Sequence, residues 1–187
     1  LGIKVGHVEA GLRSYDRTMP EEINRVLCDH ISDHLFCPTP ASAKTALDEG
    51  ISKDKIHVVG NTIVDAVYAN LAIAKKKENA FLKYGLKTGE YFLVTAHRQE
   101  NVDSKERFSG MLKAFEMIGR KYGLKIFYPI HPRARKMLQT HALEAPSEVI
   151  LAEPLSFFEF LQIESGAKLV LTDSGGVQEE TCILGVP

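Results

Sequence analysis

The chain has no basic excess: 23 Lys plus Arg stand against 24 Asp plus Glu, for a net charge of -1. That balance excludes the positive face expected of a nucleic-acid binder. No apolar run approaches the ~20 residues needed to cross a bilayer, which excludes a spanning helix. Cysteine is scarce too. Cys28, Cys37 and Cys182 are odd in number, widely spaced and set among apolar neighbours, so they read as reduced core thiols and not as a disulfide framework or a metal site. Internal repeats and low-complexity tracts are also missing. A cytoplasmic soluble protein without metal or cofactor is the expectation, and 187 residues at 44% hydrophobic suffice for one sizeable core or two smaller ones.

An initiating Met is absent as well. The sequence opens in the strand-like Ile3-Lys4-Val5-Gly6-His7-Val8 and stops at Gly185-Val186-Pro187, where an α/β unit would enter its next strand. An excerpt of a longer protein is expected, so no signal peptide can be looked for.

What is present alternates. Ile3 to Val8, His34 to Cys37, Ile56 to Val59, Tyr91 to Ala96, Ile126 to Ile130, Val149 to Leu151 and Leu169 to Thr172 are short, apolar, branched runs that read as strands. Between them lie helical stripes, such as Ile23, Val26, Leu27, His30 and Ile31, or Phe108, Met111, Leu112, Phe115 and Ile118. Thr39 before Pro40, Asp103 with Glu106 and Ser156 with Glu159 read as helix starts. The alternation predicts an α/β chain with parallel strands and crossover helices. A helix over Thr62 to Lys77, ending in Lys75-Lys76-Lys77-Glu78, reads as a connector, dividing the chain into residues 1–62 and 63–187.

Several charged groups stand at strand ends, where ligands collect in open α/β sheets. Glu9 ends the first strand in Gly6-His7-Val8-Glu9-Ala10-Gly11-Leu12-Arg13, and its structural reading is an ion pair with Arg13 or Arg25. Glu21 lies in Thr18-Met19-Pro20-Glu21, and spacing alone favours a capping box in which it bonds the Thr18 amide. His97 and Arg98 follow the strand at Tyr91, a place for a neutral-range proton donor and a bidentate phosphate ligand. His131 repeats the strand-end position less specifically. His7 and His30 read as core histidines, and Phe157, Phe158, Phe160 and Leu161 read as core. Finally, Leu169 to Thr172 runs into Asp173-Ser174-Gly175-Gly176 and a helix, so free amides and the positive helix end favour an anion. Glu180, four residues after Gly176, shares that helix face and would reach a ribose beside a diphosphate.

His7 to Arg13, Pro20 to Arg25, Val59-Gly60-Asn61-Thr62, Thr95 to Asn101 and Thr172 to Glu180 together resemble the non-hydrolysing UDP-N-acetylglucosamine 2-epimerases. The motifs occur in family order and cover roughly the middle half of a family chain. The resemblance implies a GT-B-like fold, two Rossmann-like domains with parallel sheets facing a nucleotide-sugar cleft, both incomplete in this sequence. It implies reversible epimerisation at C2 between UDP-N-acetylglucosamine and UDP-N-acetylmannosamine, by elimination of UDP to a glycal and re-addition. Carried over by position, Glu9, Glu21 and His97 match catalytic residues. Phe160, Ser174, Gly175, Gly176 and Glu180 match the UDP-sugar side, where Arg98 is expected as a further substrate ligand on its own chemistry, and His131 lies near a possible regulatory site for a second UDP-sugar. A cytoplasmic homodimer serving polysaccharide biosynthesis is implied too.

Leu155 and Thr181-Cys182-Ile183 depart from the bacterial pattern, at the uracil contact and the helix packing. The family's first glycine-rich turn, one catalytic aspartate and a late arginine have no counterpart, so these 187 residues alone are expected to be inactive and poorly stable. A hydrolysing epimerase, a GT-B glycosyltransferase and a silent nucleotide-sugar sensor are the competing readings.

Overall fold

Each apolar run and each amphipathic stretch becomes the element its period requires. The computed structural model describes residues 2–187, which divide into two units, the first ending at Asp65 and the second starting at Ala66.

The first unit contains β1 (Gly6–Val8), α1 (Pro20–Ile31), β2 (His34–Cys37), α2 (Pro40–Asp48), a 3-10 turn (Lys53–Lys55), β3 (Ile56–Val58) and the start of α3 (Thr62–Ala74). Its sheet runs β1-β2-β3, all parallel, with His7 opposite Leu35 and Phe36 opposite His57. The core is small: Ala10, Leu35, Cys37, Ala43 and Ala46. Thr39 caps α2 ahead of Pro40 as expected, and Ser42 closes a capping box with it.

The second unit continues with α4 (Ala80–Tyr84), β4 (Tyr91–Thr95), α5 (Gln99–Val102), α6 (Lys105–Tyr122), β5 (Lys125–Pro129), α7 (Pro132–Thr140), β6 (Val149–Ala152), α8 (Phe157–Ser165), β7 (Leu169–Thr172) and α9 (Gly175–Leu184). The sheet order is β6-β5-β4-β7, again all parallel. Along β4 the pleat sends Phe92 and Val94 into one core layer, with Phe108, Ile126 and Tyr128, and Tyr91 and Leu93 into another, with Phe127 and Ile163. Burial on both faces is why these strands are continuously apolar and not alternating.

The strand order matters for function. The chain lays down β4, steps outward through β5 to β6, then returns to the opposite side of β4 for β7. The order therefore reverses between β4 and β7, and loops leaving their carboxyl ends diverge to open a crevice.

Several local expectations are corrected. The first strand starts at Gly6, not Ile3, and α3 stops at Ala74. Helix α6 is capped by Ser104, whose hydroxyl accepts from the Arg107 amide, because Asp103 is held by Arg133 at 2.6 Å instead. The stripe on α1 faces outward, with Ile23, Leu27 and Ile31 exposed and Glu22 and Asp29 buried, since those two carboxylates collect donors from the loop after β1. His30, expected in the core, is accordingly exposed, bonded through Nδ1 to the Val26 carbonyl; Cys28, Cys182 and Phe157 are exposed too, and of the three expected core thiols only Cys37 is buried. Among the described residues no helix is long and apolar enough to cross a membrane, and no group of side chains could hold a metal.

Candidate active site

In the first unit, Glu9 follows β1 directly and takes a left-handed backbone, φ 64°. A non-glycine residue pays roughly 1–3 kcal/mol for such a conformation, so the surroundings must impose it. They do so from both sides. Buried Asp29 accepts from the Gly11 amide at 3.0 Å and lies 2.6 Å from His7 Nδ1, bracketing Glu9. Arg13 completes the cluster, 2.6 Å from Asp29 and bonded through Nε and Nη2 to Glu49. The Glu49 hydrogen bond is the largest influence holding the Arg13 guanidinium above its already high range, with Asp29 adding to it against burial.

The arginines expected as structural partners of Glu9 are thus committed elsewhere, Arg13 to Asp29 and Glu49, Arg25 to Glu22 at 3.0 Å. His7, read as a core histidine, is half-buried on Asp29.

The capping box at Glu21 does not form. Helix α1 starts after Met19 with no side-chain cap, and the Thr18 amide and hydroxyl both donate to Asp16 Oδ1, at 2.9 and 2.6 Å. Glu21 stays exposed in the first turn. Its neighbour Glu22 does the structural work, accepting from the Ser14 amide and hydroxyl and the Tyr15 amide. The Ser14 amide is the largest cause holding the Glu22 carboxyl below the usual range.

In the second unit the remaining candidates gather at the reversal between β4 and β7. Thr95 pairs with Thr172 across the two strands, their hydroxyls 2.5 Å apart, so the His97 loop and the Ser174 turn leave side by side. A cleft of about 370 Å³ opens there, lined by His97, His131, Leu155, Phe160, Ser174 and Val177 among others. The His97 and His131 ring centres are 5.9 Å apart. His131 caps α7, its Nδ1 accepting from the Arg133 amide at 3.2 Å, which leaves Nε2 to carry the proton.

The turn itself is open. Ser174 is the N-cap of α9 but its side chain makes no capping bond, so neither it nor the helix satisfies the amides of the first turn, at Gly175 and Gly176. Gly175 and Gly176 are exposed, and no atom would obstruct a side chain at Gly175. An anion suits those amides and the helix dipole, while Leu155, Phe160 and Val177 offer an apolar wall. Phe160 serves both core and cleft, packing partly buried against the layer around Leu93. Arg98 is exposed outside the cleft lining, its guanidinium 3.6 Å from Glu100.

One residue of the turn gains a place that sequence reasoning did not assign. Asp173, with 11% of its side chain exposed, accepts from the His97 amide at 3.0 Å, the Arg98 amide at 2.9 Å and Asn101 Nδ2 at 3.0 Å, all on Oδ2. Its Oδ1 lies 3.0 Å from His97 Nδ1. Burial opposes its charge, but these hydrogen bonds, led by Asn101, hold the carboxyl below the ordinary range. The available signal was an acidic residue between a strand end and a glycine turn.

Glu180 lies one turn into α9 and is half-buried. Behind it, Glu164 on α8 is fully buried with both oxygens lacking a donor. Burial first, then the Glu180 charge, pushes the Glu164 carboxyl up to about 8. Glu164 therefore favours its protonated form at neutral pH.

Comparison with known proteins gives this arrangement a context. The family described as UDP-N-acetylglucosamine 2-epimerase matches residues 1–187. The UDP-N-acetylglucosamine 2-epimerase of Methanococcus maripaludis is 52% identical over 193 residues, covering 100% of this chain and 53% of that protein. The crystal structure of Methanocaldococcus jannaschii UDP-GlcNAc 2-epimerase in complex with UDP-GlcNAc and UDP aligns at TM-score 0.88 and 51% identity, over 99% of this chain and 52% of that one. The Neisseria meningitidis enzyme bound to UDP-GlcNAc gives TM-score 0.86 and 35% identity, over 99% of this chain and 52% of its own. The chain spans about half the length of the curated relatives it matches. With the match running the full 187 residues, the chain belongs to the UDP-N-acetylglucosamine 2-epimerase family.

Proposed function

We propose that the whole protein interconverts UDP-N-acetylglucosamine and UDP-N-acetylmannosamine by eliminating and re-adding UDP. The observation that carries this reading is the cleft at the β4/β7 reversal, where a histidine, an uncapped helix start and an apolar wall stand together in a chain 52% identical to a named epimerase.

The chemistry needs such groups. No ketone acidifies the C2 hydrogen of the sugar, so its removal becomes feasible as UDP leaves C1. The C2–H electrons form the C1–C2 double bond, the C1–O bond breaks, and the diphosphate takes that electron pair. Re-addition with protonation on the opposite face gives the epimer. A base near C2 must therefore work with donors for the departing diphosphate. Glu9 and Glu21, exposed and absent from the hydrogen bonds and ion pairs of the described residues, are assigned to C2. His97 and the Ser174, Gly175 and Gly176 turn take the diphosphate, Phe160 the base, Glu180 the ribose, and Arg98 the outer phosphate. His131, which shares the cleft with His97, is assigned to the UDP side before any regulatory site.

Incubating the whole protein with UDP-N-acetylglucosamine in heavy water tests the reading. The expected products are both UDP-sugars, carrying deuterium at C2. Free N-acetylmannosamine with UDP would make it a hydrolysing enzyme, transfer to an added acceptor would make it a glycosyltransferase, and binding without exchange would make it a sensor; each outcome overturns the proposal.

A further inference from the structure

We propose that Asp173 is the positioning residue of His97: it keeps Nδ1 protonated, fixes the ring, and leaves Nε2 as the atom presented to the departing diphosphate. The inference rests on the assignment of His97 to the UDP side.

The argument starts with who can accept. Asp173 Oδ2 already takes three donors, the amides of His97 and Arg98 and the side chain of Asn101. Oδ1 faces His97 Nδ1 at 3.0 Å with the His97 amide at 3.2 Å. An ionised carboxylate accepts only, so the Nδ1 facing it must carry the hydrogen. In the neutral ring Nε2 then bears a lone pair, which takes up a proton; in the charged ring both nitrogens donate, Nε2 to the departing diphosphate, and Asp173 balances the charge. His97 lines the cleft, and Nδ1 lies at ion-pair distance from Asp173, so Nε2 is the nitrogen left for a ligand.

The position is over-determined, as a positioning device needs to be. The Asp173 amide donates to the Thr95 carbonyl at 3.2 Å, tying the end of β7 to the end of β4. Tyr128 donates to the Ala96 carbonyl at 2.6 Å and fixes the backbone just before His97 from below. Asp173 also joins His97 to the Ser174 turn, so the histidine and the helix amides move as one piece.

Asparagine at 173 discriminates between tautomers. Asn offers one oxygen, and three donors converge on the Oδ2 position, so its oxygen belongs there and its amide nitrogen turns toward His97. Nδ1 must then accept, and the proton moves to Nε2.

In the whole protein, ¹⁵N spectra of labelled histidines, assigned with His97→Gln, should show the Nδ1–H form in wild type and the Nε2–H form in Asp173→Asn. Turnover should fall about 10²–10⁴-fold, with KM and UDP affinity within about threefold, as when an orienting carboxylate is lost. The double variant should be no more than about threefold slower than His97→Gln, because both changes remove one device. An Nε2–H tautomer in wild type overturns the inference without any variant at 173, so a misfolded Asp173→Asn does not rescue it. Unchanged turnover in Asp173→Asn, or losses that multiply in the double variant, overturn it too. Near-normal turnover in His97→Gln would instead sink the assignment of His97 itself, while the wild-type tautomer still decides the Asp173 contact.

Discussion

Arg13 places a guanidinium nitrogen 2.6 Å from Asp29, with 2% and 0% of their side chains exposed. Two opposite charges so deep under a three-stranded sheet do not exist for net stability alone, since desolvation offsets much of their attraction. Their neighbours explain them. Asp29 also holds His7 and Gly11, two residues to either side of Glu9, so the cluster fixes the arc on which Glu9 keeps its left-handed backbone.

Removing Asp29 should therefore be costly in two ways. Asp29→Ala leaves Arg13 with Glu49 alone and takes the acceptor from the buried Gly11 amide, and is expected to destabilise the first unit by roughly 1–3 kcal/mol. Denaturant unfolding of the whole protein measures this. A milder lesion, Arg13→Lys, loses the fork onto Glu49 and Asp29 and should still cost more than 1 kcal/mol.

Gly11 makes an independent test of the same arc. Its φ is +76°, and a Cβ would stand 2.1 Å from the Ser42 carbonyl oxygen. Gly11→Ala combines a backbone cost of about 1–2 kcal/mol with a forced shift of α2, worth about another 1–3 kcal/mol. Loss of soluble folded protein, or a clear drop in the unfolding midpoint, is the expected result; wild-type stability would contradict it.

The adjacent Glu21 and Glu22 should separate cleanly. Glu22→Gln keeps one acceptor oxygen and sets an NH2 against either the Ser14 or the Tyr15 amide, and should lower stability at neutral pH. Because its folded carboxyl titrates below the ordinary range, that contribution is present at neutral pH and lost on acidification through the folded value. Glu21→Gln touches none of these bonds, so stability should hold while turnover falls about 10²-fold or more. Parallel unfolding curves and C2 exchange rates decide between them.

The seven strands were legible because each is a short apolar run between helical stripes, and each was found within a few residues of its expected place. The α1 stripe misled for a physical reason. Periodicity says that a helix has an apolar face, not that this face meets the nearest sheet, and Glu22 and Asp29 turn the other side inward. Likewise Thr18 and Glu21 have capping spacing, yet Asp16 is a nearer acceptor. Asp173 was in view as part of the glycine turn, but its partners lie 72 to 76 residues away, and only the pairing of β4 with β7 brings them together.

Buried Glu164, beside half-buried Glu180, gives the sharpest dependence on pH. Unfolded, Glu164 titrates as an ordinary carboxyl; folded, burial and the facing Glu180 charge push it up to about 8. Between those values the folded chain holds a proton that the unfolded chain has released, so stability falls as pH rises through the window and levels off above about 8. The slope approaches about 1.4 kcal/mol per pH unit for one full proton. Glu164→Gln is neutral at every pH in this window, and should flatten that slope. The same substitution reports on nucleotide binding. Above pH 8 the wild type sets two carboxylates against each other at the proposed ribose ligand, so UDP affinity measured calorimetrically should drop between pH 7 and pH 9. In Glu164→Gln it should hold. Equal pH slopes for stability in wild type and variant would show that Glu164 does not carry the proton assigned to it.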